Sequence, residues 1–164
     1  MDTKVSIDLL NDSVADELSA VHQYMYFHFH LDDQGFDALA KLFKRTAITE
    51  MGHVEKLAER ILFLKGDVKM APNAKVAAVT EPEKIVAMAV EMERHSVAFY
   101  NEAAQKCGAN MDAASKQIFE FLVNEEEGHF AQFDLQLEHL RKFGATYLAL
   151  QALGKEAEAA ATAE

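Results

Sequence analysis

Two short segments, ITEMGH at residues 48–53 and VNEEEGH at residues 123–129, decide how the rest of this sequence is interpreted. Each places a glutamate three positions before a histidine: Glu50 before His53, and Glu126 before His129. Positions i and i+3 lie on one face of an α-helix, so a carboxylate and an imidazole can bind one metal ion together. A single pair of this kind also occurs on solvated helix faces, so a metal site requires partners elsewhere.

Apolar residues recur at a period near 3.6 along most of the chain, which predicts α-helices. The predicted helices span about 6–33, 36–65, 82–106 and 113–143, followed by a short fifth helix at 145–153. No alternating strand pattern competes with them, so the predicted fold class is all-α. One domain, residues 1–154, suits a chain of this length, and the Ala/Glu-rich segment 155–164 is predicted to be a disordered tail.

The connection at residues 66–81 separates two predicted helix hairpins, which together make a four-helix bundle. Thr80, Glu81, Pro82 and Glu83 have the pattern of a capping box with proline in the first turn of the third helix. An extended 16-residue connection spans about 53 Å, more than the length of about 44 Å of a 29-residue helix. It can therefore cross the whole bundle and make helices 2 and 3 parallel. A compact connection between adjacent helix ends fits as well.

Two further glutamates are predicted to face the Glu-x-x-His pairs. In an antiparallel hairpin, residues equidistant from the turn lie opposite each other. The first turn is centred near position 33.5 and pairs Glu17 with Glu50, while the second is centred near 109.5 and pairs Glu93 with Glu126. Both carboxylates lie among core-spaced apolar residues, so the site is expected to be at least partly buried.

The two halves of the chain form a repeat with an offset of 76 residues, which also relates Tyr24 to Tyr100. Each metal-ligating group lies about 25 Å from its hairpin turn, which places both groups near the middle of the bundle. Six side chains are therefore predicted to converge on one central point: Glu17, Glu50, His53, Glu93, Glu126 and His129.

Four carboxylates in a low-dielectric interior repel one another and require cationic compensation. No lysine or arginine occupies a corresponding core position, so two divalent ions, with a total charge of +4 against −4, are the predicted solution. The set contains no thiolate and twice as many carboxylates as imidazoles, which suits iron or manganese rather than structural zinc. It is the ligand pattern already known for ferritin-like di-iron proteins, so this step matches a template.

Four segments, ADELSAVHQY, EMGHVEKLAERILFLKG, EEEGH and FGATYLALQAL, stand in the order and spacing of the bacterioferritins, and nearly the whole chain resembles that family. The resemblance implies a ferritin-like four-helix bundle with a long crossover between helices 2 and 3. It also implies a ferroxidase that oxidises Fe(II) with O2 or peroxide and stores ferric mineral in a hollow homo-oligomeric shell of 24 subunits.

The same resemblance implies roles for individual residues. Glu50 and Glu126 are expected to bridge the two irons of each subunit, and Tyr24 is the tyrosine beside the site. Met51, which a step of 100° points away from the bundle centre, is implied as an axial ligand of haem b shared between two subunits. The chain departs from the family at Arg45 and Thr49, where such proteins often place His and Asp facing the cavity.

Composition restricts the remaining possibilities. The net charge is −11, the pI is near 5.0 and no basic cluster is present, which argues against nucleic-acid binding. No apolar run approaches 18 residues, so no membrane span is expected, and the start MDTKVSIDLL lacks the features of a signal peptide. The single cysteine, Cys107, cannot form an internal disulfide. These features predict a cytoplasmic protein.

Three alternative functions remain to be weighed against iron storage. A rubrerythrin-like peroxide reductase usually adds a cysteine-rich module, which one cysteine cannot supply. A mini-ferritin that shields DNA builds its metal site between subunits, whereas the set here is complete within one chain. A non-catalytic helical scaffold that only buffers metal stays open. The other histidines are interpreted as surface or hydrogen-bonded residues rather than ligands: His22, His28, His30, His95 and His139.

Overall fold

The computed structural model describes the backbone of residues 1–161 and the side chains of residues 1–153. Within that part of the chain it contains five α-helices and no strand, which confirms the all-α prediction. The four long helices agree with the predicted bounds to within three residues. The helices are α1 (Thr3–Asp33), α2 (Asp37–Phe63), α3 (Pro82–Ala109), α4 (Ala113–Phe143) and α5 (Ala145–Ala161).

The helix starts use different caps. Asp2 accepts a hydrogen bond from the Lys4 backbone N–H at the start of α1, as Asp112 does from Ser115 at the start of α4. The capping box predicted for α3 is wrong. The N-cap is Glu81 rather than Thr80, because Pro82 occupies the first helical position. The Glu81 side chain makes no cap hydrogen bond.

Contacts between the hairpins establish the helix directions. Tyr24 of α1 donates a hydrogen bond to Glu93 of α3, and Tyr100 of α3 donates one back to Glu17 of α1. The lower-numbered residue of α1 thus pairs with the higher-numbered residue of α3, so these helices are antiparallel. Since α1 and α2 form an antiparallel hairpin, α2 and α3 are parallel.

The segment at residues 64–81 therefore crosses the full length of the bundle, and it does so along α1. Along this segment, each successive residue bonds to a residue further along α1 or at its C-cap, which excludes the compact connection. These pairs are Asn11 with Asp67, Ser19 with Asn73, Gln23 with Ala77, and Gln34 with Thr80. Gly66 allows the close approach, since an added Cβ would lie 2.9 Å from a methyl carbon of Ile7.

Two apolar clusters fill the bundle on either side of its middle. The turn-side cluster, next to the α1–α2 turn, contains buried aromatic residues such as Tyr24, Phe27, Phe43 and Phe133. The far-side cluster lies toward the start of α1 and includes Leu10, Leu57, Tyr100, Phe119 and Leu122. The polar residues predicted to bind metal lie between the two clusters.

The fifth helix is present as predicted, but its end differs. α5 continues to Ala161, whereas the sequence pattern ends it near Leu153 and assigns 155–164 to a disordered tail. Alanine, glutamate and lysine are strong helix formers, and a single glycine at position 154 costs only about 1 kcal/mol, so the helix can continue. The assignment of residues 155–164 to a disordered tail stays a prediction. The last part of that segment, 162–164, lies outside the described residues.

Candidate metal centre

All four long helices contribute to one buried polar cluster at mid-bundle. α1 supplies Glu17, α3 supplies Glu93, and α2 and α4 each supply a Glu-x-x-His pair. The exposed fraction of these residues ranges from 1% to 8%. Burial this complete is unusual for ionisable side chains unless they are paired or bind a metal.

The six side chains lie within two overlapping groups, each with one ligand atom per residue within 4.8 Å of the others. Glu50 and Glu126 belong to both groups and lie between them, as expected of bridging carboxylates. The predicted convergence is therefore confirmed. Site A is Glu17, Glu50, His53 and Glu126, and site B is Glu50, Glu93, Glu126 and His129.

Each histidine turns its Nδ1 atom toward the carboxylates. His53 Nδ1 lies 2.8 Å from Glu50 Oε2, 3.2 Å from Glu126 Oε1 and 3.3 Å from Glu17 Oε1. His129 Nδ1 lies 3.0 Å from Glu50 Oε1 and 3.2 Å from Glu126 Oε2. Nδ1 is thus the nitrogen that each ring offers to a metal.

Several of these buried atoms have no hydrogen bond within the chain. They are Glu50 Oε2, Glu126 Oε1 and both ring nitrogens of His53, whose neighbours are close but misaligned. An unsatisfied buried polar atom costs about 1–3 kcal/mol, so the cluster is costly without a further partner. Carboxylates together with imidazole nitrogens suit divalent iron or manganese, and the residues present therefore fit a dinuclear metal site.

Two tyrosines hold the outer carboxylates. Tyr24 donates its hydroxyl to Glu93 Oε1, and Tyr100 donates to Glu17 Oε1 at 2.6 Å. The prediction that Tyr24 lies beside the site is confirmed. Tyr100 was not singled out, although the 76-residue offset already related it to Tyr24 and was the signal that identifies it.

Burial and mutual repulsion alter the protonation of the cluster. Loss of solvent, followed by the nearby charge of Glu50, raises the pKa values of Glu17 and Glu93 well above the usual range. Burial opposes charge on the histidines, but the surrounding carboxylates outweigh it. They raise the pKa of His53 to about 12 and that of His129 to about 11.

Glu126 shows the opposite behaviour. Burial alone would favour its neutral form, but contacts with the two protonated histidines lower its pKa to about 2. The metal-free cluster therefore holds protons on the two histidines, and burial favours the neutral forms of Glu17 and Glu93. Divalent ions bring positive charge that can replace these protons.

A cavity of about 440 Å³ reaches the cluster between α1, α3 and the crossing segment. All four glutamates line it, and its outer part contains the polar residues Asp16, Asn73, Glu91 and His95. The cavity gives small ions and molecules access to the carboxylates. The histidine rings are not part of this wall and belong to the α2 and α4 side of the cluster.

A second, shallower groove of about 430 Å³ lies on the outer face of α1 and α2. It is lined mainly by apolar residues, including Val21, Met25, Ile48 and Met51. Met51 is 40% exposed, so the prediction that it points away from the bundle centre is confirmed. Beside it, Gly52 leaves open space, with no atom within 4 Å of a Cβ built there.

Three of the remaining histidines, His28, His30 and His139, have neighbours outside the cluster. His28 bonds through Nδ1 to the Ala40 carbonyl at 2.9 Å, and His30 contacts the Tyr26 ring at 4.3 Å between centroids. His139 packs against Phe143 and Tyr147. Their interpretation as hydrogen-bonded or surface residues is therefore confirmed for these three.

The family model of the ferritin-like domain matches residues 7–143. The bacterioferritin of Desulfovibrio desulfuricans is 34% identical over 143 residues, which is 87% of this chain and 80% of that protein. That of Rhodobacter capsulatus is 34% identical over 150 residues, covering 91% and 92% respectively. The chain belongs to the bacterioferritin family.

Solved bacterioferritins also share the fold. The structure of the Desulfovibrio desulfuricans protein, described with its diiron site in different catalytic states, has a TM-score of 0.90 at 33% identity and covers 92% of this chain and 88% of its own. The Rhodobacter capsulatus structure is described with a metal-free dinuclear site and haem iron in a crystallographic special position. Its TM-score is 0.86 at 32% identity, covering 92% and 93%. No helix among the described residues is long and apolar enough to span a bilayer.

Proposed function

We propose that this chain is an iron-storage ferroxidase that binds two Fe(II) ions at sites A and B and oxidises them with O2 or H2O2. The observation that carries the proposal is the pair of four-residue groups sharing Glu50 and Glu126, with buried oxygens that have no protein partner. Membership of the bacterioferritin family supports the same function.

The residues have distinct roles in this proposal. Glu50 and Glu126, which belong to both groups, would contact both ions, Glu17 and Glu93 would each hold one, and His53 and His129 would each offer Nδ1. Bound iron supplies the redox chemistry, since two Fe(II) ions give the two electrons that, with two protons, convert O2 to H2O2 or H2O2 to water. Tyr24 and Tyr100 hold the outer carboxylates in position. The flanking apolar clusters shield the site from solvent on either side along the bundle axis.

The cavity supports a path for substrate. Asp16 and Glu91 at its outer part favour entry of a cation, and the four glutamates of the cluster form its inner wall. Carboxylates at the outer part and at the inner wall of the cavity therefore support a route for ferrous iron between them.

The test is oxygen uptake on addition of Fe(II) to the purified metal-free protein. A ferroxidase consumes O2 rapidly at two Fe(II) per chain and then forms a ferric product that stays with the protein. A scaffold that only buffers metal binds the same two ions with no uptake above the buffer rate, and that result would overturn the proposal.

We further propose that the chain assembles into a hollow shell of 24 subunits in the cytoplasm. The exposed side chains of Ile48 and Met51 on the α1–α2 face support contact with another subunit. The single free thiol of Cys107 is consistent with a reducing compartment. Light scattering coupled to size exclusion tests the assembly, since a shell has 24 times the chain mass of 18.3 kDa, and a monomer or dimer contradicts it.

Haem b bound by Met51, with one haem between two subunits, is the last part of the proposal. The exposed Met51 in an apolar groove and the open space beside Gly52 support it. Protein reconstituted with haem is expected to take up about one haem per two subunits, and Met51→Leu is expected to lose that uptake while it keeps Fe(II) oxidation. Equal uptake by the variant and the parent, measured from the Soret absorbance, would contradict the ligand assignment.

A further inference from the structure

The two histidines of the metal centre differ in what lies behind their rings. The Nε2 atom of His53, which faces away from the carboxylate cluster, is buried and has no hydrogen-bond partner. The nearest acidic oxygen to it is Glu125 Oε2, at 4.0 Å. Glu125 is half-exposed, so its carboxylate has room to rotate toward the ring.

Phe121 completes the wall behind His53. Its ring meets the His53 ring edge-on, with 6.1 Å between centroids and an interplanar angle of 89°. The Lys56 ammonium group lies over the other side of Phe121, 4.6 Å from its centroid. His53 is therefore backed by one aromatic ring and one carboxylate, both from α4.

The 76-residue repeat shows what stands at the related positions behind His129. Residue 121 corresponds to Arg45 and residue 125 to Thr49, both on α2. The Arg45 side chain is exposed, and the Thr49 hydroxyl donates to the Arg45 carbonyl at 3.2 Å. The repeat thus preserves the six ligands but provides a carboxylate behind only one of the two histidines.

This difference matters for metal binding. When a histidine binds a metal through one ring nitrogen, the other N–H usually donates to a carboxylate or carbonyl, which fixes the tautomer and the ring orientation. Loss of such a partner typically weakens metal affinity 10–100-fold. A shift of about 1 Å in the half-exposed Glu125 side chain would let its carboxylate accept from His53 Nε2–H. Thr49 at the related position offers only a neutral hydroxyl, which is a weaker acceptor than a carboxylate.

We infer that Glu125 is a positioning residue for His53 and that it makes the two metal sites unequal, with site A the tighter and site B the weaker. This inference rests on the proposed dinuclear site. The first divalent ion therefore occupies site A, and the ion at site B exchanges more readily. The asymmetry follows from residues outside the ligand set.

The test uses Co(II), which binds such sites without reacting as Fe(II) does, in anaerobic calorimetric and visible-absorbance titrations of the whole protein. The parent is expected to bind two Co(II) per chain in two steps that differ about 10–100-fold in dissociation constant. Glu17→Ala should remove the tight step and Glu93→Ala the weak one, which assigns each step to a site.

Substitutions behind the rings then separate positioning from general damage. Glu125→Ala is expected to weaken the tight step about 10–100-fold and leave the weak step unchanged, while Glu125→Gln, which keeps an accepting oxygen, loses less. Thr49→Glu is expected to tighten the weak step. Glu127→Ala, an exposed neighbour of the same charge on α4, is the matched control and should change neither step.

The outcomes distinguish this inference from the proposed function. Two equal Co(II) steps in the parent, or an unchanged tight step in Glu125→Ala, overturn the inference and leave the ferroxidase proposal standing. Two unequal Co(II) steps without oxygen uptake on Fe(II) addition overturn the ferroxidase proposal and leave the inference standing. Thermal unfolding of each metal-free variant verifies that the bundle is intact.

Discussion

The metal centre and the turn-side apolar cluster are equally buried, yet they contribute to stability in opposite directions. Phe43 in the cluster packs against Tyr24, Phe27 and Phe133, with ring centroids 4.8–5.7 Å apart, and such contacts stabilise the folded chain. The metal centre instead buries four carboxylates and leaves some of its oxygens unpartnered. Without metal it opposes folding, and the apolar clusters on either side offset that cost.

This comparison shows that the bundle is built to hold an unfavourable group of charges in place. The apolar clusters pack the helices above and below the cluster, which holds the six side chains close together in the absence of metal. Preorganisation of this kind lets metal binding use its free energy for affinity rather than for folding the site.

The largest expected effect is on the rate of Fe(II) oxidation. Glu126→Ala removes a ligand common to sites A and B and is expected to abolish fast Fe(II) oxidation, measured with an oxygen electrode. The metal-free variant is expected to fold with some loss of stability, because the protonated His53 and His129 lose a carboxylate that they contact in the parent. Glu127→Ala, whose side chain is exposed, is the control and should oxidise iron at the parent rate. Fast oxidation by Glu126→Ala would show that the intrachain site is wrong.

Unfolding measurements test the difference between the apolar cluster and the metal centre most directly. Phe43→Ala is expected to lower the free energy of unfolding by about 3–5 kcal/mol, because a fully buried ring is replaced by a cavity. Glu17→Ala, also buried, is expected to cost little or nothing in the metal-free protein, because burial and the charge of Glu50 already disfavour the Glu17 carboxylate. Denaturant unfolding of both variants measures this difference. A loss in Glu17→Ala as large as that in Phe43→Ala would contradict the view that the metal-free centre opposes folding.

Metal binding is expected to reverse the sign of the metal centre's contribution to the free energy of unfolding. A divalent ion that binds the folded site and hardly binds the unfolded chain stabilises by about 2.7 kcal/mol at 100-fold excess over its dissociation constant. Mn(II), or Fe(II) without oxygen, is therefore expected to raise the melting temperature. Zn(II) should do so as well, with no oxygen uptake. If the melting temperature at pH 7 is the same with and without metal, the scaffold alternative gains support.

The smallest expected effect is the release of protons when metal binds. The pKa values of His53 and His129, about 12 and 11, keep both rings protonated at pH 7, and burial favours neutral Glu17 and Glu93. Since metal binds only the deprotonated ligands, filling both sites is expected to release about two protons per chain from the histidines, with a further contribution from Glu17 and Glu93, in a weakly buffered titration at pH 7. Raising the pH toward 11 should reduce this number, because the free protein then carries fewer protons. No release would contradict the protonated state of the empty cluster.

Much of the site could be predicted because helix geometry relates spacing in the sequence to position in space. Equal distance from a hairpin turn was enough to pair Glu17 with Glu50 and Glu93 with Glu126, since both helices rise by the same amount per residue. Prediction failed where two local preferences competed. At α3 the proline displaced the expected cap at Thr80, and at α5 helix-forming alanines continued the helix beyond Leu153.

The sequence by itself determined the helices, the six ligand residues and the repeat that relates them, because these depend on periodicity and spacing along single helices. Only the tertiary structure decided the path of the crossing segment, the protonation of the cluster and the partner behind His53. Each of these depends on contacts between residues far apart in the chain, such as Asn73 with Ser19 or Glu125 with His53. Burial and electrostatic coupling are properties of the packed helices together, and no single helix carries that information.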